Sequence, residues 1–170
     1  MTEQVEAAQD RDGRADFDFF LGVWDSKQRR LTDWLKGCDT WREFTGVSVA
    51  RKTLDGLGHM DEVILDTPTG RVVGLTVRVF DPQTRLWSIY WVDSRRGVLQ
   101  APMVGGFQNG RGEFYDRETF DGVNIFSRFI WTSSGPNTCH WEQAFSADGG
   151  RTWETNWTAD FTRREDSSAI

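Results

Sequence analysis

Between Thr40 and Arg163 the sequence is cut by turn-forming clusters at the spacing of β-hairpins: Asp55-Gly56-Leu57-Gly58, Thr67-Pro68-Thr69-Gly70, Asp81-Pro82-Gln83-Thr84, Asn109-Gly110, Asp121-Gly122 and Ser133-Ser134-Gly135-Pro136-Asn137. Nothing else in the chain limits its fold as much. The stretches between the clusters alternate apolar and polar side chains, the period of a half-buried strand. Proline directly after Asp81 suits the second position of a turn, and Asp121-Gly122 is a two-residue hairpin turn. Strands alternating with helices are not found, nor is a repeat of fixed period. Roughly nine or ten short strands in hairpin succession predict an all-β sandwich or barrel. We expect a single antiparallel barrel over residues 16–163, with polar, flexible tails at 1–15 and 164–170.

The barrel's first strand follows a knot of aromatics, Phe17-Asp18-Phe19-Phe20-Leu21, and then Gly22-Val23-Trp24. Asp16 can cap one helical turn. The segment therefore reads as a short N-terminal helical plug, with Trp24 opening the first strand. Thr32 to Asp39 is an irregular connection that carries Trp34.

Composition bears on partners and compartment. The 170 residues carry a formal net charge of −6, and runs of Lys/Arg never exceed a pair. An acidic surface repels phosphate backbones and anionic bilayers, so neither nucleic acid nor membrane is an expected partner. A homodimer stays open. Met1 to Gly13 lacks the basic start and apolar run of a signal peptide, and no stretch reaches membrane length. Cys38 and Cys139 form neither CxxC nor a zinc-spaced cluster. Two lone thiols fit a reducing cytoplasm and read as small buried hydrophobes. No metal and no cofactor are expected. The 9 Trp and 12 Phe exceed what a core of this size needs. Most serve as core filler, and flat rings also suit the wall of a cavity.

Chemistry-bearing motifs are few. Ser146-Ala147-Asp148-Gly149-Gly150-Arg151-Thr152-Trp153 matches the S-x-D-x-G-x-T-W "Asp box" of sialidase propellers and unrelated proteins. Its logic is local: the carboxylate collects N–H groups across a turn, glycine takes positive φ, and Trp153 packs beneath. A propeller would repeat it, and here it occurs once. No G-x-S-x-G, H-E-x-x-H, P-loop or dinucleotide fingerprint is present.

Gly22-Val23-Trp24 resembles the Gly-x-Trp signature of lipocalins and other calycins. That resemblance implies a Trp closing the barrel floor beneath a late arginine, here Arg163 or Arg164. A wider pattern resembles a family of uncharacterised, calycin-like bacterial proteins. It is carried by Phe17-Asp18-Phe19-Phe20-Leu21-Gly22-x-Trp24, Val79-Phe80-Asp81-Pro82-x-Thr84-x-x-Trp87, Tyr90-Trp91-Val92-Asp93-Ser94 and Thr158-x-x-Phe161-x-Arg163. The resemblance implies a barrel with an internal pocket and transfers no catalytic residue. The glycine-rich first strand of the haem-binding nitrobindins is absent.

Hairpin registers predict which side chains face the interior. Setting Thr53 opposite His59 brings Val49 to Val63, Val47 to Leu65 and Arg51 to Asp61, and places Glu43 on the apolar face. Val73, Leu75, Val77 and Val79 pair with Trp87, Ile89, Trp91 and Asp93, turning Trp91 and Asp93 inward. Setting Ser146 opposite Thr152 turns Trp141, Phe145 and Cys139 inward and His140, Glu142, Asn156 and Thr158 outward. Setting Trp131 opposite Thr138 puts Arg128 beside Trp141 and Gln143 near Phe126. The Asp121-Gly122 turn then sets Tyr115 opposite Arg128. A single bulge would invert that face.

The expected ligand-binding set is therefore Trp91, Asp93, Tyr115, Arg128, Trp141 and Gln143. Glu43, Asp93, Tyr115 and Arg128 are the catalytic candidates. The expected function is binding of a small hydrophobic or aromatic organic molecule inside the barrel. The competing expectation is an enzyme that uses the same cavity for cyclisation, isomerisation or lyase chemistry by acid–base catalysis. A haem protein is disfavoured by the outward His140. In each case the polar groups can instead pair with one another and seal the core.

Overall fold

Each turn cluster closes a hairpin. The computed structural model describes residues 12–165. Its strands are β1 (Gly22–Leu31), β2 (Trp41–Thr53), β3 (Gly58–Thr67), β4 (Gly70–Asp81), β5 (Leu86–Asp93), β6 (Met103–Gln108), β7 (Arg111–Phe120), β8 (Val123–Gly135), β9 (Thr138–Ser146) and β10 (Glu154–Arg163). Every strand pairs antiparallel with the next, and β1 pairs with β10, so the ten strands close into one barrel. Closure leaves no free sheet edge.

One end of the barrel is filled. Where a helical plug is expected there is a lone 3₁₀ turn, Asp18–Phe20. Phe17, Phe20 and Trp24 are buried in a cluster with Trp87, Phe114, Trp131 and Phe161. Phe20 stacks on Trp24 with ring centroids 5.4 Å apart, and Phe17 meets Trp87 edge-on at 5.0 Å. Arg163 covers Trp24 with its guanidinium 4.2 Å from the ring. The same fork donates to Phe19 O (2.8 Å), Pro136 O (3.0 Å) and Leu21 O. Gly22 makes this approach feasible: its φ is +108°, and a Cβ there would lie 2.8 Å from Arg163 Nη1. Arg164 instead holds Asp25 through a bidentate pair at 2.8–3.0 Å.

Several inward faces differ from the sequence expectation. In β2–β3 Thr53 pairs with Gly58, so Ser48, not Val49, faces Val63. This one-residue difference turns Ser48 and Ala50 inward and Val47, Val49 and Glu43 outward. Gly46 is the small residue that admits Leu65, whose Cδ2 would sit 2.8 Å from a Cβ. In β4 the buried residues are Val72, Gly74, Thr76, Arg78 and Phe80, and the row Val73, Leu75, Val77, Val79 lies half-buried on the outer face. Trp91 pairs with Thr76, and its ring lies over Gly74, where a Cβ would come within 2.0 Å of it. Only glycine at position 74 leaves room for that indole.

In β8–β9 Trp131 pairs with Trp141 rather than Thr138, with a bulge between Ser133 and Gly135. The shift is odd, so it exchanges the faces: Phe129 and Trp131 turn inward, Arg128 and Tyr115 outward. In β9–β10 a bulge between Thr155 and Trp157 turns Asn156 inward, where it is fully buried, contrary to expectation. Of the expected tails, residues 1–11 and 166–170 lie outside the described residues. Residues 12–15 turn against the barrel, and Trp87 Nε1 donates to Gly13 O at 3.1 Å.

Candidate functional site

The strands enclose a cavity of about 490 Å³. Phe20, Asp61, Arg78, Trp131 and Phe161 form its deep end. Phe44, Trp91, Phe129, Trp141, Phe145 and Trp157 form walls, and Arg30, Trp34, Arg95, Arg96 and Phe120 surround the mouth. A second space of about 410 Å³ shares Arg30, Trp34, Phe44, Thr67, Arg95 and Phe120 with the first and adds two basic residues, Lys36 and Arg42, and two acidic ones, Asp33 and Asp121. It is a vestibule outside the mouth. The connection between β1 and β2 arches over that opening. Trp34 packs on Phe120 and Phe145, and Leu35 N donates to Glu154 Oε1 at 2.8 Å.

The deep end holds a buried ion pair. Arg78 Nη1 stands 2.5 Å from Asp61 Oδ1, with the two side chains 2% and 5% exposed. The two residues reach each other diagonally across the β3–β4 ladder, where Asp61 pairs with Thr76 and His59 with Arg78. The guanidinium also lies 5.0–5.4 Å from the rings of Phe17, Phe20 and Trp131. The contact is close but poorly aligned: Asp61 Oδ1 and Arg78 Nε and Nη1 lack a properly directed hydrogen bond within the protein. Burial pushes the Asp61 carboxyl above its usual range, and Arg78 opposes that shift. Higher on the wall, polar groups pair with one another. Trp157 Nε1 donates to Gln28 Oε1 (2.8 Å), Gln143 Nε2 donates to Asn156 Oδ1 (2.9 Å), and Ser127 Oγ donates to Glu118.

At the mouth Asp93 is fully engaged. Its Oδ1 accepts from Arg95 N (2.9 Å) and Arg96 N (3.2 Å), and its Oδ2 from Trp91 Nε1 (3.3 Å). Asp93 thereby fixes the loop after β5 and the orientation of Trp91. Arg95 Nη2 donates to Thr67 Oγ1 (3.0 Å) and Thr69 Oγ1 (2.7 Å). Arg30 lies between two indoles, 4.6 Å from Trp34 and 4.8 Å from Trp157.

Trp91, Asp93, Trp141 and Gln143 thus line the cavity. Glu43, Tyr115 and Arg128 do not, and their expected inward orientation is corrected by the registers above. The Glu43 side chain is 77% exposed and faces Arg29 at 3.5 Å. Tyr115 is 42% exposed and donates to Glu113 Oε2 at 2.8 Å. Arg128 lies over Trp153 at 4.4 Å, outside the barrel. The Asp box is a turn at this end: Asp148 accepts from Arg151 N, Thr152 N, Thr152 Oγ1 and Ser146 Oγ, and the Thr152 and Ser146 bonds lower its pKa to about 2.

Sequence reasoning missed Asp61, Arg78, Arg30 and Glu118 as interior residues. A signal for the first two existed: counting back from the Thr67–Gly70 turn puts Asp61 one cross-strand step from Arg78. His140 is outward, with Nδ1 2.7 Å from Asp160. His59 is inward and wholly buried beneath Phe17 and Trp87, outside the cavity lining. Cys38 and Cys139 are free thiols, and burial pushes Cys139 up to about 12. Among the described residues no group of three or more His, Cys, Asp or Glu could hold a metal ion, and no helix is long and apolar enough to cross a membrane.

No protein-family model matches the chain, and no curated protein matches it. Solved structures do. One, described as EF1p2_mFAP2b bound to DFHBI, aligns with 89% of this chain and 99% of its own at 12% identity and a TM-score of 0.48.

Proposed function

We propose that this barrel binds a small, largely apolar or aromatic organic molecule in its interior. The cavity carries the proposal: about 490 Å³ between a filled floor and a mouth, walled by Trp91, Trp141, Trp157, Phe129 and Phe145. Pockets of this size and lining are where small molecules are held. Trp91 and Trp141 are the walls a ring would stack on. A neutral hydrophobic dye should therefore bind one-to-one and quench tryptophan emission. Trp91→Ala should weaken it by about tenfold, the equivalent of one lost aromatic contact. Absence of saturable binding in the wild-type protein would remove this reading.

An acid–base enzyme is the second reading, and one observation favours it. Asp61 is a carboxyl on the cavity's deep wall whose pKa burial raises against the opposing pull of Arg78, the kind of group that acid–base catalysis uses. The sequence resemblance further supports placing the chain among the uncharacterised calycin-like bacterial barrels. The free thiols fit a cytoplasmic setting. The half-buried outer row of Val73, Leu75, Val77 and Val79 is the face a homodimer would cover.

A further inference from the structure

We infer that the ligand is an amphipathic anion: an aromatic or polyene body inside the barrel, and an oxyanion at the mouth held by Arg30, Arg95 and Arg96. The inference rests on the cavity reading and names the ligand class. The arginines at the mouth and their surroundings carry it.

Arg30 points inward from β1 and makes no hydrogen bond or ion pair with the described residues. Its five N–H donors lie between Trp34 at 4.6 Å and Trp157 at 4.8 Å, which fix the plane of the guanidinium without using a donor. Arg95 and Arg96 line the same end of the cavity, and among the described residues neither has a carboxylate within 4.0 Å. The nearby acid, Asp93, is turned to the backbone N–H groups of Arg95 and Arg96 and to Trp91.

Three guanidiniums converging on one opening repel one another. Partial burial lowers the Arg30 pKa, and the charges of Arg95 and Arg96 add to that shift while Asp93 opposes it. An oxyanion seated among them relieves the repulsion and receives charge-assisted, bidentate hydrogen bonds. In the vestibule beyond the mouth Lys36 is paired with Asp121 at 4.0 Å, and Asp33 lines the same space as Arg42, so the positive charge is concentrated at the three arginines of the mouth, on a chain whose net charge is −6. Such a local field draws anions to an otherwise repelling surface. The opposite pole of the cavity suits an uncharged end. Arg78 is already neutralised by Asp61 and enclosed by rings.

Two dyes that differ only in a sulfonate test this directly: 8-anilinonaphthalene-1-sulfonate and neutral N-phenyl-1-naphthylamine. Titrated by fluorescence, the anionic dye should lose about tenfold or more in affinity in Arg30→Gln and in Arg96→Gln. The neutral dye should change by less than about twofold, because it makes no charge-assisted bond. Arg128→Gln, on the outer face, should leave both unchanged. In the wild-type protein, added NaCl should weaken only the anionic dye. Arg96 serves as the second variant because its side chain makes no hydrogen bond or ion pair with the described residues.

Displacement of the neutral dye by 1-naphthyl phosphate, 1-naphthoate and 1-naphthol distinguishes the head groups; both anions should outrank the alcohol. If both dyes bind and the arginine variants move them equally or not at all, the mouth assignment is wrong and the cavity reading stands. If neither dye binds the wild-type protein, the cavity reading fails and this inference falls with it.

Discussion

Arg78 Nη1 lies 2.5 Å from Asp61 Oδ1 at the bottom of the barrel, where both side chains are almost wholly shielded from solvent. A buried pair of this kind is expensive to split, because the surviving partner keeps its desolvation penalty. Asp61→Leu and Arg78→Met should each lower unfolding stability by about 3–5 kcal/mol. The double variant should recover most of that loss, since it leaves no lone charge among the rings. Urea unfolding of the four proteins checks the cycle, and additive losses would show that the two groups are not coupled.

The seal at the closed end makes a second expectation. Arg163 spends its fork on the carbonyls of Phe19, Leu21 and Pro136 while lying over Trp24. Trp24→Ala removes a fully buried ring and should cost about 3–5 kcal/mol. Arg163→Lys keeps the charge but not the fork, and should still cost about 1–2 kcal/mol. A lysine variant with unchanged thermal midpoint would show that the carbonyl bonds contribute nothing.

His59 makes stability depend on pH. Burial, and then the nearby charge of Arg78, lower its pKa from the usual 6.5 to about 4, against the opposing pull of Asp18, 3.6 Å away. The unfolded chain takes up this proton as pH falls through 6.5; the folded chain does so only near 4. Stability is therefore fully present above pH 6.5 and lost as pH falls toward 4, by about 2–3 kcal/mol in total. Asp61 works in the opposite sense: with a raised pKa, its stabilising contribution is present at low pH and declines as pH rises. The difference between wild type and His59→Phe isolates the histidine. The variant should lack the acid-side decline in that window, and parallel pH curves would refute the assignment.

Gly74 is the seat of the Trp91 indole, and a Cβ there would come within 2.0 Å of the ring. Gly74→Ala should displace the indole from the cavity wall and change its emission. It should also weaken binding of the neutral dye by about as much as Trp91→Ala does. Stability should drop by no more than about 1–3 kcal/mol, as for overpacking elsewhere. An unaltered emission spectrum would mean that the ring is not seated there.

The all-β class and the hairpin order were legible because turns announce themselves locally: Asp121-Gly122 and Thr67-Pro68-Thr69-Gly70 need no tertiary context. Orientation was harder to read. Pairing apolar faces across hairpins turns Trp91 and Trp141 inward, and both line the cavity, although Trp91 pairs with Thr76 and not with the β4 valines. The rule that apolar residues point inward misled at Val47, Val49 and the β4 valines. This barrel keeps polar and charged groups inside its cavity and half-buried aliphatic side chains outside. Arg128 and Tyr115 were misplaced by a bulge near Ser133, which no periodicity reports. Arg30 escaped notice because a charged residue at a strand end usually faces solvent. Its inward orientation depends on Trp34 and Trp157, brought to it from a loop and from β10.

The aromatic cluster that holds the fold together sits in one half of the molecule. Phe17, Phe20, Trp24, Trp87, Phe114 and Phe161 crowd the closed end, whereas the mouth is framed by loops and arginines. The cluster and the cavity meet at the deep end, where Phe20, Trp131 and Phe161 belong to both. Exchanging the arginines around the opening leaves the rings of the closed end untouched, so the same foundation can be fitted over evolutionary time, or by an engineer, to a succession of different guests.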